Sequence, residues 1–449
     1  MNSKNSEIKT LDKLYNKSHS PIAVLYGRKG VGKNEIVKQF ATGKKCISYI
    51  SRNASCKLQL EFFAQELGID ISEKDDCDFE SIIEGVLDNS DDKTLIIINE
   101  FELIFKKDDT FFNQLIDLND RFNLMIVLTC SEIPWINKEF IECINNNKYK
   151  DKVYLEKIEE WSFLDTVRAF EDYSIEELVK LYGVFGGVNR YLSYIDQSSS
   201  VEDNIKKLVL NKKGSLYDEA EKFLSSELRE ISVYNTILYA IASGNTKLNE
   251  LYKSTGFSRA KISVYLKNLA AFDVVEKIES FDTGGWQNAK KGVYAIKNNF
   301  IDFWFRFIYP NLNDLDRLTG DEFYAKHIEN KLDIYLDRYF IKICREYLML
   351  MNYSNELPLE IKNIGTWQGK SGSIDIVAQN DIREQLVAKC FWKEDIVTDE
   401  DFKKLLEAAN KAKIKPKYYY IFASGSFNEK LKALESQLSS VVLIDIGSL

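Results

Sequence analysis

Within residues 20 to 158 a short apolar run followed by a stretch of helical spacing recurs: "PIAVLYG", "KCISYIS", "TLIIINE", "NLMIVLTCS" and "KVYLEKI" are the apolar segments. Short apolar strands joined by helix-length connections have one economical arrangement, a parallel sheet with crossover helices on its faces. This pattern limits the first third of the chain to an α/β fold.

The first run leads into "GRKGVGKNEIVKQF", Gly27 to Phe40, a glycine-rich turn followed by helical spacing. The phosphate-binding pattern GxxxxGK[ST] is complete here except for its last letter. Gly27, Gly30 and Gly32 let backbone N–H groups turn inward toward phosphate at a helix N-terminus, and Lys33 neutralises the β- and γ-oxygens. The residue after the lysine normally supplies a hydroxyl to Mg²⁺, but here it is Asn34. A glycine-rich turn with an incidental lysine is the plainer alternative, and the strand–loop–helix setting favours nucleotide binding over it.

The third run, "TLIIINEFELIF", ends where a metal-holding acid and a catalytic acid are expected in sequence. Those positions are Asn99 and Glu100, so the metal acid has become an amide and the candidate catalytic base remains. Asn34 and Asn99 are therefore the candidate metal contacts, both weakened because Mg²⁺ prefers carboxylate, hydroxyl and water oxygens. Thr129 and Ser131, in "TCSE", are polar residues at a strand end, placed to sense a γ-phosphate or simply to cap.

Composition narrows the rest. A chain of 449 residues exceeds the size at which one core keeps growing, so several domains are expected. The net charge of −9 gives no global attraction for nucleic acid, so any such contact needs a local patch. The 7 cysteines have no CxxC pair and only 2 histidines accompany them, which disfavours zinc and histidine-based catalysis and reads the cysteines as reduced core or strand residues. The polar N-terminus and the lack of a long apolar run predict no signal peptide, no membrane span and a cytoplasmic location.

From 216 to 310 the pattern changes to three short helical segments, "VYNTILYAIASG", "KLNELYKSTG" and "SRAKISVYLKNLAAFDVV", then two strands around "FDTGGWQNAKK". Helix, helix, helix and hairpin is winged-helix order. Its third helix would offer Arg259, Lys261 and Lys267 to DNA, and its wing tip Lys290 and Lys291. Asp273, Glu276, Glu279 and Asp282 lie close by, so a protein-interaction role is the equal alternative. A long helix, strands "SGSIDIVAQ" and "EQLVAKCFW", another helix, and strands "YYYIFASG" and "VVLIDI" then predict a second α/β domain.

On "GRKGVGK", "IIINEF", "FGGVNRYL", "LYDEAEKFLSSELRE", "DFWFRFIYPN" and "IDIVA" before "VAKCFW", the chain resembles the archaeal and bacterial AAA+-like ATPases that join a P-loop domain, a winged helix and a C-terminal restriction-endonuclease-like domain of unknown function. The resemblance spans nearly the whole chain. It implies a P-loop domain at 1–158, a helical lid at 159–215, a winged helix at 216–310 and a nuclease-like α/β domain at 311–449. Family members usually carry Ser or Thr at position 34, Asp at 99 and Pro where Asn189 stands. They commonly have an arginine before the strand that here follows "INNNKYKD". The nuclease-like pattern falls on Ile341, Asp375, Lys389 and Phe391, of which only Asp375 is a matching acid. The last domain is accordingly expected to be non-catalytic, with Asp375 capping or solvating a strand end.

Three functions follow from these residues. The favoured one is an ATP-binding regulator in which hydrolysis is slow or absent. The second is an active Mg²⁺-dependent ATPase with Glu100 as base. The third is a DNA-binding or protein-interaction module with a dead P-loop and a protein partner that the sequence does not name.

Overall fold

The computed structural model describes residues 5–71, 77–87, 92–146, 149–281, 292–369 and 372–448. The chain divides into two compact units, Met1–Glu160 with Val188–Arg190, and Trp161–Gly187 with Tyr191–Leu449. No helix among the described residues is long and apolar enough to cross a membrane.

In the first unit, β1 (Ile22–Tyr26), β2 (Cys46–Ile50), β3 (Thr94–Asn99), β4 (Leu124–Cys130) and β5 (Val153–Lys157) form one sheet in the order β2-β3-β4-β1-β5. Every neighbouring pair is parallel, as the alternation of apolar runs and helices predicts. β3 and β4 are buried from end to end, and their side chains alternate between two cores. Leu95, Ile97, Met125 and Val127 pack with Ile36, Val37 and Phe40 of the helix Lys33–Ala41. Ile96, Ile98, Ile126 and Leu128 pack on the other side with Phe63, Phe101 and Phe140. Each such side chain contributes roughly 1.5–3 kcal/mol through burial, which makes the register of this sheet hard to alter. All five strands end at one edge, where ligands of open α/β sheets bind.

The second unit starts with helices Phe163–Ala169 and Ile175–Phe185 and continues through Val201–Leu208 and Glu219–Glu227. Helices Ile231–Ala242, Leu248–Thr255 and Arg259–Ala271 follow, then β6 (Val275–Ile278) and β7 (Val293–Ile296), paired antiparallel. The predicted "DFWFRFIYPN" segment is a short helix, Asn299–Phe303, that runs into a π-helical turn at Trp304–Ile308 before Pro310. A buried polar network fixes it to its neighbours. Asp302, with no exposed surface, accepts from Arg338 Nη1 at 3.0 Å and from the Tyr339 hydroxyl at 2.8 Å. Tyr335 donates to the carbonyls of Gly183 at 2.9 Å and Asn299 at 3.0 Å. Arg338, Tyr339 and Tyr335 all lie on the long helix Glu329–Tyr353, and Gly183 on the helix Ile175–Phe185.

The long helix Glu329–Tyr353 lies against a second sheet made of β8 (Asn363–Gly369), β9 (Gly372–Gln379), β10 (Gln385–Phe391), β12 (Tyr418–Ala423) and β14 (Val441–Asp445), in the order β14-β12-β10-β9-β8. A two-stranded pair, β11 (Ile396–Val397) with β13 (Ser426–Phe427), accompanies it. The sheet is mixed: β10, β12 and β14 run parallel, while β8 and β9 turn back on one another. The sequence foresees β9, β10, β12 and β14 and misses β8. "NIGTWQG" has two glycines and little apolar alternation, so only its pairing with β9, interrupted at Gly365/Trp367, makes it a strand.

Candidate functional site

The glycine-rich loop joins β1 to the helix Lys33–Ala41 at the carboxyl edge of the first sheet. Gly32, the residue before that helix, has φ of 102°, a left-handed conformation that suits glycine and that a side chain would strain. A Cβ at Gly27 would stand 2.4 Å from the Ile158 carbonyl oxygen, so the loop lies tight against the end of β5.

Lys33 is 5% exposed, unusually little for a lysine. Its Nζ donates to the Gly27 carbonyl at 2.6 Å, to the Arg28 carbonyl at 3.1 Å and to Ser131 Oγ at 3.0 Å. Burial holds its pKa below the usual lysine value, opposed by Glu100, Cys130 and Glu102 nearby. Ser131 Oγ in turn donates to Glu100 Oε1 at 2.7 Å. The predicted loop lysine and the predicted catalytic acid are therefore linked through one serine hydroxyl. Glu100 has φ of 55°, a region that non-glycine residues rarely occupy and that clusters at functional sites.

Asn99 is 8% exposed and tied at both ends of its amide. Its Oδ1 accepts from Thr129 Oγ1 at 3.1 Å, and its Nδ2 donates to the Tyr49 carbonyl at 3.4 Å. Thr129 also accepts from the backbone N–H of Glu100 at 3.2 Å. The amide thus links β2, β3 and β4 at their carboxyl ends, a contact an aspartate could not duplicate because it has no N–H to give Tyr49. Thr129 and Ser131, expected either to sense phosphate or to cap a strand, are internal members of this network. Asn34 is exposed at the start of its helix.

Two contributors were not visible in the sequence. Glu102, 1% exposed, accepts the backbone N–H of Ser131 on Oε1 at 3.1 Å. Burial first, and then the neighbouring Glu100, push its carboxyl up to about 7. The segment Val188–Arg190, distant in sequence, belongs to the first unit: the Arg190 N–H donates to the Gly30 carbonyl at 3.0 Å. A Cβ at Gly32 would meet Asn189 Nδ2 at 3.3 Å, and one at Gly30 would meet Arg190 Cβ at 3.2 Å. Asn189 and Arg190 therefore lie over the loop, a placement that no local sequence signal gives. Arg28, on the loop itself, is buried and ion-paired with Glu160 at 3.0 Å.

The other candidate residues lie in the second unit. Arg259, Lys261 and Lys267 are exposed on the helix Arg259–Ala271, whose Ile262, Leu266 and Leu269 face inward. Arg259 Nε donates to Asn249 Oδ1 at 2.8 Å and its guanidinium covers the Tyr252 ring. Lys290, Lys291 and Asp282 lie outside the described residues.

Asp375 departs from its expected place at a solvated strand end. It sits within β9, 6% exposed, accepting from Lys389 Nζ at 2.9 Å and from the Cys390 N–H at 3.0 Å. Both carboxylate oxygens are engaged, and the lysine on β10 supplies the positive charge. Asp337, one helical turn before Ile341, has its carboxyl pushed up by burial and by Asp333, Asp375 and Glu394. Of the free cysteines, Cys46, Cys130 and Cys390 lie on strands and Cys344 is buried in the core, whereas Cys56 and Cys143 lie on helices.

A parallel five-stranded sheet with a glycine-rich loop after its first strand, a buried loop lysine and an acid after its third strand fits a P-loop fold. In the second unit, residues 304–410 match the family model DUF234, described as archaea bacterial proteins of unknown function, so the chain carries a DUF234 domain. The uncharacterized protein MJECL04 of Methanocaldococcus jannaschii is 27% identical over 404 residues, covering 89% of this chain and 88% of the relative. Among solved structures, the Aeropyrum pernix ORC1 protein in complex with DNA is 12% identical, covers 70% of this chain and 94% of its own, and has a TM-score of 0.34. The STAND protein PH0952 of Pyrococcus horikoshii, with a tetratricopeptide repeat sensor, is 15% identical, with 78% and 50% coverage and a TM-score of 0.30.

Replacing Asn99 by Asp removes the donor to Tyr49 and buries a charge in its place. In the absence of nucleotide, Asn99→Asp is expected to lower stability by about 1–3 kcal/mol, read from urea denaturation midpoints. An unchanged midpoint would show that the amide bridge contributes nothing.

Proposed function

We propose that this protein binds ATP at the loop Gly27–Lys33 and responds to its occupancy, with hydrolysis slow or absent. The observation that carries the reading is the Lys33 ammonium, buried on a helix-forming glycine loop and hydrogen-bonded through Ser131 to Glu100. A triphosphate would exchange the two loop carbonyls for phosphate oxygens around that ammonium, at a helix N-terminus that favours anions. Glu100 is the candidate base for water. Arg190, beside Gly30, would extend toward the phosphates.

The amides support slow turnover. The hydroxyl and carboxylate that ordinarily hold Mg²⁺ are Asn34 and Asn99, and the second of these has its oxygen engaged by Thr129. Mg²⁺ would be held chiefly by the nucleotide itself. The reading that the chain is an active Mg²⁺-dependent ATPase requires both amides to serve through their oxygens, which the hard cation favours less than carboxylate. We read the α/β domain that follows as non-catalytic, since Lys389 engages the one acid that matches the nuclease-like pattern.

ATP should raise the melting temperature of the wild-type chain by the equivalent of about 2.7 kcal/mol at a hundredfold excess over Kd. Lys33→Ala should abolish that shift. No shift in the wild type would sink the proposal.

The double change Asn34→Thr with Asn99→Asp rebuilds a hydroxyl and a carboxylate for the metal, so it should raise phosphate release, and a further Glu100→Gln should remove the gain. Wild-type turnover already at about 1 s⁻¹ or faster would favour the active-ATPase reading.

The segment of three helices and a hairpin is proposed as a winged helix that contacts DNA through Arg259, Lys261, Lys267, Lys290 and Lys291. The exposure of the first three on one helix supports this. Binding to random duplex DNA should weaken steeply with salt, and removing one lysine should reduce the log–log salt slope by about one. Gel shifts that show nothing at about 50 mM salt would make the segment a protein-interaction surface instead.

A further inference from the structure

Glu102 has no part in the phosphate-binding pattern, yet it is the most deeply buried acid at the site. One oxygen, Oε1, fixes the backbone of Ser131 at 3.1 Å. The other, Oε2, is buried, and no donor reaches it among the described residues. A carboxylate oxygen left in that state forfeits its solvation with nothing in return. Glu100 is gathered on the same residue, accepting from Ser131 Oγ at 2.7 Å, and its charge bears on Glu102. Two carboxyl groups held on one serine are most stable when they share one proton, and a proton on Oε2 directed at Glu100 would satisfy both.

A metal ion is a poorer occupant of this pocket. Mg²⁺ gives up its waters reluctantly, and a side chain 1% exposed offers it no open coordination face. Among the described residues, the groups facing Glu102 are few. Glu100 follows β3, Lys33 starts the loop helix, and Cys130 ends β4 with its thiol directed at the Glu132 carbonyl at 3.9 Å. Burial raises the Cys130 thiol far above its ordinary range, so it stays neutral. The charge of the cluster is thus set by Lys33, Glu100 and the proton on Glu102.

We propose that Glu102 is a positioning residue of the nucleotide site: its carboxyl holds Ser131 with one oxygen and donates a proton to Glu100 with the other, and loss of that proton weakens triphosphate binding. The inference rests on the ATP-binding reading above. In the protonated state Ser131 joins Lys33 to Glu100 and the acid pair carries a single negative charge. In the deprotonated state a second buried negative charge stands beside Lys33, holds the ammonium inward and repels the incoming phosphates. The burial-raised carboxyl gives the sign: the favourable state is full below neutrality and is lost as pH rises through about 7.

The experiment titrates the full chain with ATP and Mg²⁺ from pH 6 to pH 8.5, using wild type, Glu102→Gln and Lys33→Ala. Glutamine keeps an acceptor for Ser131 and a permanent donor for Glu100. Wild-type affinity should fall above neutrality by up to about tenfold per pH unit, while Glu102→Gln should retain low-pH affinity across the range. The titration of the nucleotide's own phosphate and that of Lys33 are common to both proteins, so the difference between the two profiles isolates Glu102. Calorimetry of the wild type in two buffers of different ionisation enthalpy gives a second measure that needs no variant: ATP binding near pH 7.5 should take up a proton. Parallel pH profiles for wild type and Glu102→Gln would overturn the proposal, as would a flat wild-type profile without proton uptake, provided that binding still depends on Lys33. Absence of ATP binding at pH 6 in the wild type would instead remove the nucleotide reading itself.

Discussion

A lysine ammonium withdrawn from water at the carboxyl edge of a parallel sheet is the constraint around which the first unit is arranged. A buried charge must be paired and hydrogen-bonded, or folding loses several kcal/mol. Lys33 meets this requirement with two carbonyls of its own loop and with Ser131 at the end of β4. Ser131 is held in turn by Glu100, after β3, and by Glu102, two residues further on. The ends of β1, β3 and β4 must therefore meet at fixed register, and the apolar alternation of β3 and β4 between two cores supplies that register.

The same edge explains how an amide is accommodated where an acid is expected. Asn99 hydrogen-bonds on both sides, to Thr129 and to the Tyr49 carbonyl, and so contributes to the sheet what an aspartate would contribute to a metal. The substitution removes one negative charge from the edge. Glu102 returns a carboxyl group to it at a deeper position, where burial controls whether that group is charged. The site is consequently rich in hydrogen bonds and poor in net charge.

Internal pairing of a buried acid also occurs in the second unit. Lys389 satisfies Asp375 from the next strand, and the Cys390 N–H satisfies its second oxygen. Elsewhere in that unit, Asp302, Arg338 and Tyr339 form a buried polar cluster that ties a π-helical turn to the long helix. In both places a charged pair joins two neighbouring elements.

The sequence by itself determined the parallel sheet, the phosphate-binding loop, the identity of Lys33 and the acid at Glu100. These are written in local patterns: apolar runs of strand length, glycines at fixed spacing, an acid directly after a strand. It could not disclose β8, which becomes a strand only by pairing with β9, or the internal pairing of Asp375, which depends on a lysine fourteen residues away on the adjacent strand. Nor could it bring Asn189 and Arg190 to the glycine loop, because a contact across more than 150 residues leaves no periodic trace. Glu102 is the clearest case. In the sequence it is the second of two acids in "NEFELIF", and only its burial, with one oxygen holding Ser131 and Glu100 nearby, raises its carboxyl above the usual range. Spacing along a chain fixes which groups are present and which face they share, whereas desolvation is a property of the packed interior, and it decides their charge.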